Sequence, residues 1–129
     1  MPALRFVSAG AAHPVVGAVA REAGVAVEGS FGAVGAMLEK FRAGEACDVL
    51  ILTHAQVAAL TGSAEVVPGT AADLGMVPTA IAVRAPDPAP PVGDADALRK
   101  ALLAADAIYF PDPSRATAGI HFAKVLDLL

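Results

Sequence analysis

The sequence predicts an α/β protein, a three-layer arrangement in which a mostly parallel sheet carries helices on both faces. Three observations lead there. Short apolar runs rich in Val, Ile and Leu alternate along the chain with longer stretches whose apolar residues recur at helical spacing. The clearest strand, "CDVLILT" (47–53), is a continuous apolar run, the pattern of a strand covered on both faces. Strand-like and helix-like stretches also follow one another in strict alternation, which favours parallel strands joined by helical crossovers.

Each element has its own signal. "LRFVSA" (4–9) reads as a strand, and "HPVVGAVAREAG" (13–24) as a helix with Pro14 in its first turn and Gly24 at its end. "VAVEGS" (25–30) is a second strand. In the helix that follows, Val34, Met37, Leu38 and Phe41 fall at i, i+3, i+4 and i+7, the spacing of one buried face, and Gly44 stops it. A short helix, "HAQVAALTG" (54–62), comes after the 47–53 strand. "TAIAVR" (79–84) reads as a further strand. "APDPAPPVGD" (85–94) marks a boundary, because closely spaced prolines continue neither strand nor helix. "ADALRKALLAAD" (95–106) is a helix capped by Asp94 or Asp96, "AIYFPD" (107–112) a strand, and "AGIHFAKVLDLL" (118–129) a helix with Phe122, Val125, Leu126 and Leu129 on one face.

Composition narrows the functions. The chain of 129 residues is 56% hydrophobic, has no tryptophan, and carries a formal net charge of −4. Nucleic-acid binders present a basic stripe, and none is visible here. The lone Cys47 excludes an internal disulfide. The stretch "MPALRFVSAG" lacks a basic segment followed by an apolar core, and no run of about 18 apolar residues exists to span a membrane.

Chemistry in open parallel sheets gathers outside the carboxyl ends of the strands, where helices begin. Four such junctions are readable: "SAGAAH" (8–13), "SFGAVG" (30–35), "LTH" (52–54) and "PDPSRATAG" (111–119). The first two are so poor in side chains that the orphan N–H groups of the next helix can face a ligand, which favours anions. Close helix–sheet packing is the other use of such glycines and alanines. His13, His54 and His121 each fall near the start of a helix and read as polar residues at a wet rim rather than ligands of one metal ion. Asp48 and Asp112 are structural carboxylates before they are an acid–base pair, and Cys47 is a small hydrophobe at a strand start. Arg115 is a loop arginine that either pairs with an anion or stays in solvent. No nucleophile, base and orienting group come together, so no enzyme, cofactor or metal is read.

The ordered series "LRFVSAGAAHPV", "VEGSFGAVGAMLEKFRAGEACDVLILT", "TAIAVR" and "IYFPDPSRATAGIHFAKVLDLL" resembles the molybdate-binding members of the type II periplasmic substrate-binding proteins. "AGEACD" (43–48) matches that family's small-residue lead into the third strand. Asp112, Pro113, Ala118, Gly119 and His121–Ala123 match its second-lobe segment. The resemblance implies two α/β lobes hinged by crossing strands that close on a solute outside the membrane and hand it to an ABC permease. On this basis residues 1–78 form the first lobe, 79–84 cross, and 85–129 begin a second, incomplete lobe. The apolar close at Leu126, Leu128 and Leu129 fits a chain of about half the family's length, or one completed by a homodimer or lobe exchange through the last helix. The resemblance gives the ligand-binding set Gly10, Ala11, Gly32, Ala33, Val34, Thr53, Ser114, Arg115, Ala116 and Thr117, and the ligand a small, molybdate-like anion. Ala11 and Val34 stand where the family has hydroxyl-bearing serines. The setting implied is the periplasm; a cytoplasmic sensor, a fragment, and an enzyme on the same fold are the alternatives.

Overall fold

The computed structural model describes residues 2–129. Contacts divide the chain into two compact units, Met1–Val77 and Pro78–Leu129. The first unit holds the sheet. Its elements are β1 (Leu4–Ala9), a 3-10 turn (Gly10–Ala12), α1 (His13–Ala23), β2 (Val27–Gly32), α2 (Val34–Arg42), β3 (Val49–Ile51) and α3 (His54–Gly62). The three strands are parallel in the order β2-β1-β3.

That order fixes how the helices lie. The chain leaves β1 for β2 in one direction and returns past β1 to β3 in the other. Right-handed crossovers therefore place α1 and α2 on opposite faces of the sheet. Burial agrees: Phe6, Val7 and Ser8 are consecutive in β1, point to alternate faces, and are all buried. From α1, Val16 and Ala20 are buried, and from α2, Met37. Leu60 of α3 is buried as well. Gly24 ends α1 in the left-handed conformation, at φ 66°, which glycine adopts without strain.

Strand register is held at both edges. Leu4 pairs with Val27 and Ala9 with Gly32 along β1 and β2. On the other side Phe6, Val7 and Ser8 pair with Val49, Leu50 and Ile51. An ion pair locks this second edge. Arg5 Nε and backbone N both donate to Asp48 Oδ2 at 2.9 Å, and its Nη2 donates to Oδ1 at 2.7 Å. Asp48 N in turn donates to Arg5 O at 2.8 Å. Asp48 is therefore a strand-register residue. Hydrogen bonds from Arg5 pull its pKa from 3.8 to about 2. A carboxylate depressed in the folded state lends stability above its unfolded pKa and loses it as pH falls through the folded one. Asp48→Asn should therefore lower the melting temperature at pH 7. The gap to the wild type should close as pH falls from about 4 to about 2. A gap independent of pH in acid titration melts would refute this role.

The second unit contains α4 (Ala95–Ala104) and α5 (Thr117–Leu128). Asp94 caps α4, its Oδ1 accepting from Ala97 N at 2.8 Å. Phe122 of α5 is buried and meets Phe110 edge-on at 5.2 Å. The expected strands at 79–84 and 107–112 do not form; both segments lie outside any helix or sheet. Their β-rich sequence needs a neighbouring strand to pair with, and the second unit supplies none. Ile81, Val83, Ile108 and Tyr109 are exposed as a result. Two other boundaries shift: β2 starts at Val27 rather than 25 and reaches Gly32, and β3 pairs only over 49–51.

Candidate functional site

The winding direction reverses at β1, so the carboxyl end of the sheet there is the place where an open α/β sheet leaves a crevice. Three junctions meet that end. The turn after β1 presents Gly10 and Ala11, and it lies directly against β2: a Cβ on Gly10 would sit 3.6 Å from Gly32 O. Both loops thus run backbone to backbone, and Ala11 and Ala33 are exposed.

The second junction carries the least side-chain matter. Gly32 ends β2, and Ala33 is the N-cap of α2 with no side-chain cap hydrogen bond among the described residues. Val34 is half-buried, while Gly32 packs on Met37, whose Cε would lie 3.2 Å from an added Cβ. The helix start is a row of free donors with the positive end of the dipole behind it. Ser30, lower on β2, is turned to another task. Its Oγ donates to Glu45 and accepts from Lys40 Nζ at 2.7 Å, tying β2 to the end of α2 and the loop that follows it. The Ser30 bond, followed by the Lys40 charge, lowers the pKa of Glu45.

The third junction is different. Thr53 caps α3 through a capping box: its Oγ1 accepts from Gln56 N at 3.4 Å and donates to Gln56 Oε1 at 3.0 Å, and Thr53 N donates to the same oxygen. The Thr53 hydroxyl is therefore engaged by its own helix. "THAQ" (53–56) carries the sequence signal for this, a threonine followed three residues later by glutamine. The sequence reading missed it, and missed the Arg5–Asp48 lock as well.

The histidines go separate ways. His13 opens α1 and its ring rests on Phe31 of β2, centroids 4.3 Å apart. His54 Nδ1 lies 3.2 Å from Asp73, both exposed, and His121 is exposed on the second turn of α5. Among the described residues no group of three His, Cys, Asp or Glu side chains could hold one metal ion. Cys47 is partly buried, and that burial raises its thiol pKa, so it stays a thiol.

In the second unit, the loop before α5 is organised around Asp112. Its Oδ1 accepts from Ser114 N at 2.7 Å, Ser114 Oγ at 2.6 Å and Arg115 N at 3.2 Å. These bonds, led by the Ser114 hydroxyl, lower the Asp112 pKa. Ser114 and Arg115 thus already hold an anion, the chain's own carboxylate. Ala116 is the N-cap of α5 without a side-chain cap, and Thr117 begins the helix. Gly119 is pressed on the same loop; a Cβ there would lie 2.2 Å from Pro111 O.

A comparison with protein families decides what these junctions belong to. Residues 4–129 match the family described as bacterial extracellular solute-binding protein. The chain belongs to that family. Neither a curated protein nor a solved structure matches it. A solute-binding protein works by reversible, noncovalent capture, and the backbone donors at this sheet end are suited to that. Among the described residues no helix is long and apolar enough to cross a membrane.

Proposed function

We propose that this solute-binding protein captures a small tetrahedral anion of the molybdate type in the periplasm and delivers it to an ABC importer. The observation that supports this most is the bare start of α2. Ala33 leaves the first-turn amides uncapped beside Gly10 and Ala11, whereas α3 is closed by Thr53 and Gln56. A desolvated dianion is stable only where several donors meet it. Gly10, Ala11, Gly32, Ala33 and Val34 make the primary contacts in this reading. Thr53 joins by opening its capping box. Within the second unit, Ser114, Arg115, Ala116 and Thr117 are read as a separate group of donors at the start of α5.

The test is thermal shift with molybdate, tungstate, sulfate, phosphate and small carboxylates. A ligand at 100 times its Kd stabilises by about 2.7 kcal/mol, a shift read directly from the melt. Ala33→Asp makes the test specific to this helix end. An aspartate N-cap should raise the stability of the free protein by about 0.5–2 kcal/mol, since it satisfies orphan amides. The same carboxylate should abolish the anion response by occupying those amides and repelling the ligand. An Ala33→Asp protein that still responds fully to the anion would remove the α2 terminus from the site. Response to a carboxylate alone would keep the solute-binding role and replace the oxyanion.

A further inference from the structure

We propose that the groove between α4 and α5 is a self-association surface and that a second copy of this chain covers it. The proposal stands apart from the anion reading. It begins with α4, whose apolar side carries Leu98, Leu102 and Leu103 although none of the helix's residues is buried. A helix below about 12–15 residues is marginal in water on its own and takes most of its stability from packing an apolar face. α4 has 10 residues. Within the second unit, Phe122 is the one large apolar side chain that is buried among the described residues. Leu103, Tyr109 and Leu128 are 75%, 92% and 86% exposed. A unit built this way has apolar surface to cover.

The shape and charge of the groove select the occupant. Arg99, Leu102 and Leu103 of α4, Ile108, and Leu126 and Leu129 at the end of the chain line a cavity of about 200 Å³. Small-molecule sites run to about 300–1,000 Å³ and hold several convergent polar groups. This lining has five apolar side chains and one arginine, which suits the side chains of another protein surface. Arg99 stands on one wall, and Asp127 follows Leu126 in the last turn of α5 on the other. Both are exposed, and neither has an ion-pair partner among the described residues. A two-fold axis sets a surface against itself, so every contact is made twice. Across such an axis Arg99 of one copy meets Asp127 of the other, and the leucines close between the two ion pairs. An apolar centre with a charged rim is the usual anatomy of a protein interface. Together with the groove, Leu103, Tyr109 and Leu128 offer apolar area comparable to the ~800 Å² that each side of a standard interface buries. The chain thus carries both halves of the complement, one cation and one anion around one apolar patch.

Sedimentation velocity of the full chain, from low micromolar to several hundred micromolar, tests this. The wild-type mass should rise with concentration towards twice 12.9 kDa. Arg99→Glu and Asp127→Arg should each weaken self-association by at least about tenfold, because like charges then face each other. An equal mixture of the two variants should dimerise again, since every contact across the axis is once more between opposite charges. Leu103→Glu should remain monomeric. Leu74→Glu, at a comparably exposed leucine of the first unit, should behave as the wild type. Melting curves taken at low concentration, matching the wild type, establish that the variants are folded. A wild type of 12.9 kDa at every concentration would overturn the proposal and show that something other than a second copy covers the groove. So would a Leu103→Glu dimer, loss of dimer in Leu74→Glu, or a mixture of the charge variants that stays monomeric.

Discussion

Gly29→Ala is expected to disrupt the first unit, lowering stability by on the order of 4 kcal/mol or more. Gly29 sits in the middle of β2 at φ 145°, a region in which side chains are strained. A Cβ there would fall 1.9 Å from the carbonyl oxygen of Phe6, its partner in β1. Neither atom is the end of a movable side chain. The strand must leave its register or the ladder must open, and β1 carries both pairings of the sheet. Gly17→Ala is the control. Gly17 lies inside α1 with nothing within 4 Å of an added Cβ, so alanine should stabilise by about 0.5–1 kcal/mol. Urea unfolding followed by far-ultraviolet circular dichroism measures both. A Gly29→Ala midpoint equal to the wild type would contradict the close approach of β2 to β1.

The second large effect is expected at Gly119. A Cβ on this residue would lie 2.2 Å from Pro111 O and 2.3 Å from Asp112 O. Alanine would push the start of α5 away from the loop that Asp112 organises. The Ala116 N to Asp112 O bond and the Asp112 bonds to Ser114 and Arg115 would loosen together. The edge contact of Phe122 with Phe110 would loosen with them. A loss of about 3 kcal/mol is expected, at the upper end for overpacking because the obstacle is backbone. Hydrogen exchange read by mass spectrometry should show faster exchange at residues 114–120 and unchanged protection in β1. Unchanged exchange at 114–120 would show that the helix start tolerates the methyl group.

Helices were largely legible in the sequence because their signals are local. The i, i+3, i+4, i+7 series of Val34, Met37, Leu38 and Phe41 marked α2, Gly24 marked the end of α1, and the cap of α4 was narrowed to Asp94 or Asp96, of which Asp94 serves. Strands were legible only where the fold supplied a partner. "LRFVSA" found two neighbours, whereas "TAIAVR" and "AIYFPD", equally rich in β-formers, found none within their unit. A strand is a property of a pair, and a single run cannot announce whether the other half exists. At the candidate site, the poverty of side chains at Gly10, Ala11, Gly32 and Ala33 could be read directly. That Thr53 and Ser114 would spend their hydroxyls on Gln56 and Asp112 could be read only in part. The capping box is a local pattern, but the turn at Asp112 depends on how tightly Gly119 seats α5.

The sheet order has a consequence for how the first unit assembles. Its central strand is made first, and both neighbours arrive later in the chain. Joining β1 to β3 closes a loop nearly twice as long as joining β1 to β2, which costs about 0.6 kcal/mol more chain entropy. β1 and β2 across α1 therefore form the favoured early nucleus, and during that interval the β3 side of β1, including Val7, waits uncovered. On a ribosome that interval lasts until the third strand has been synthesised and released. The newly made chain is most open to misassociation at that stage, before Arg5 has met Asp48.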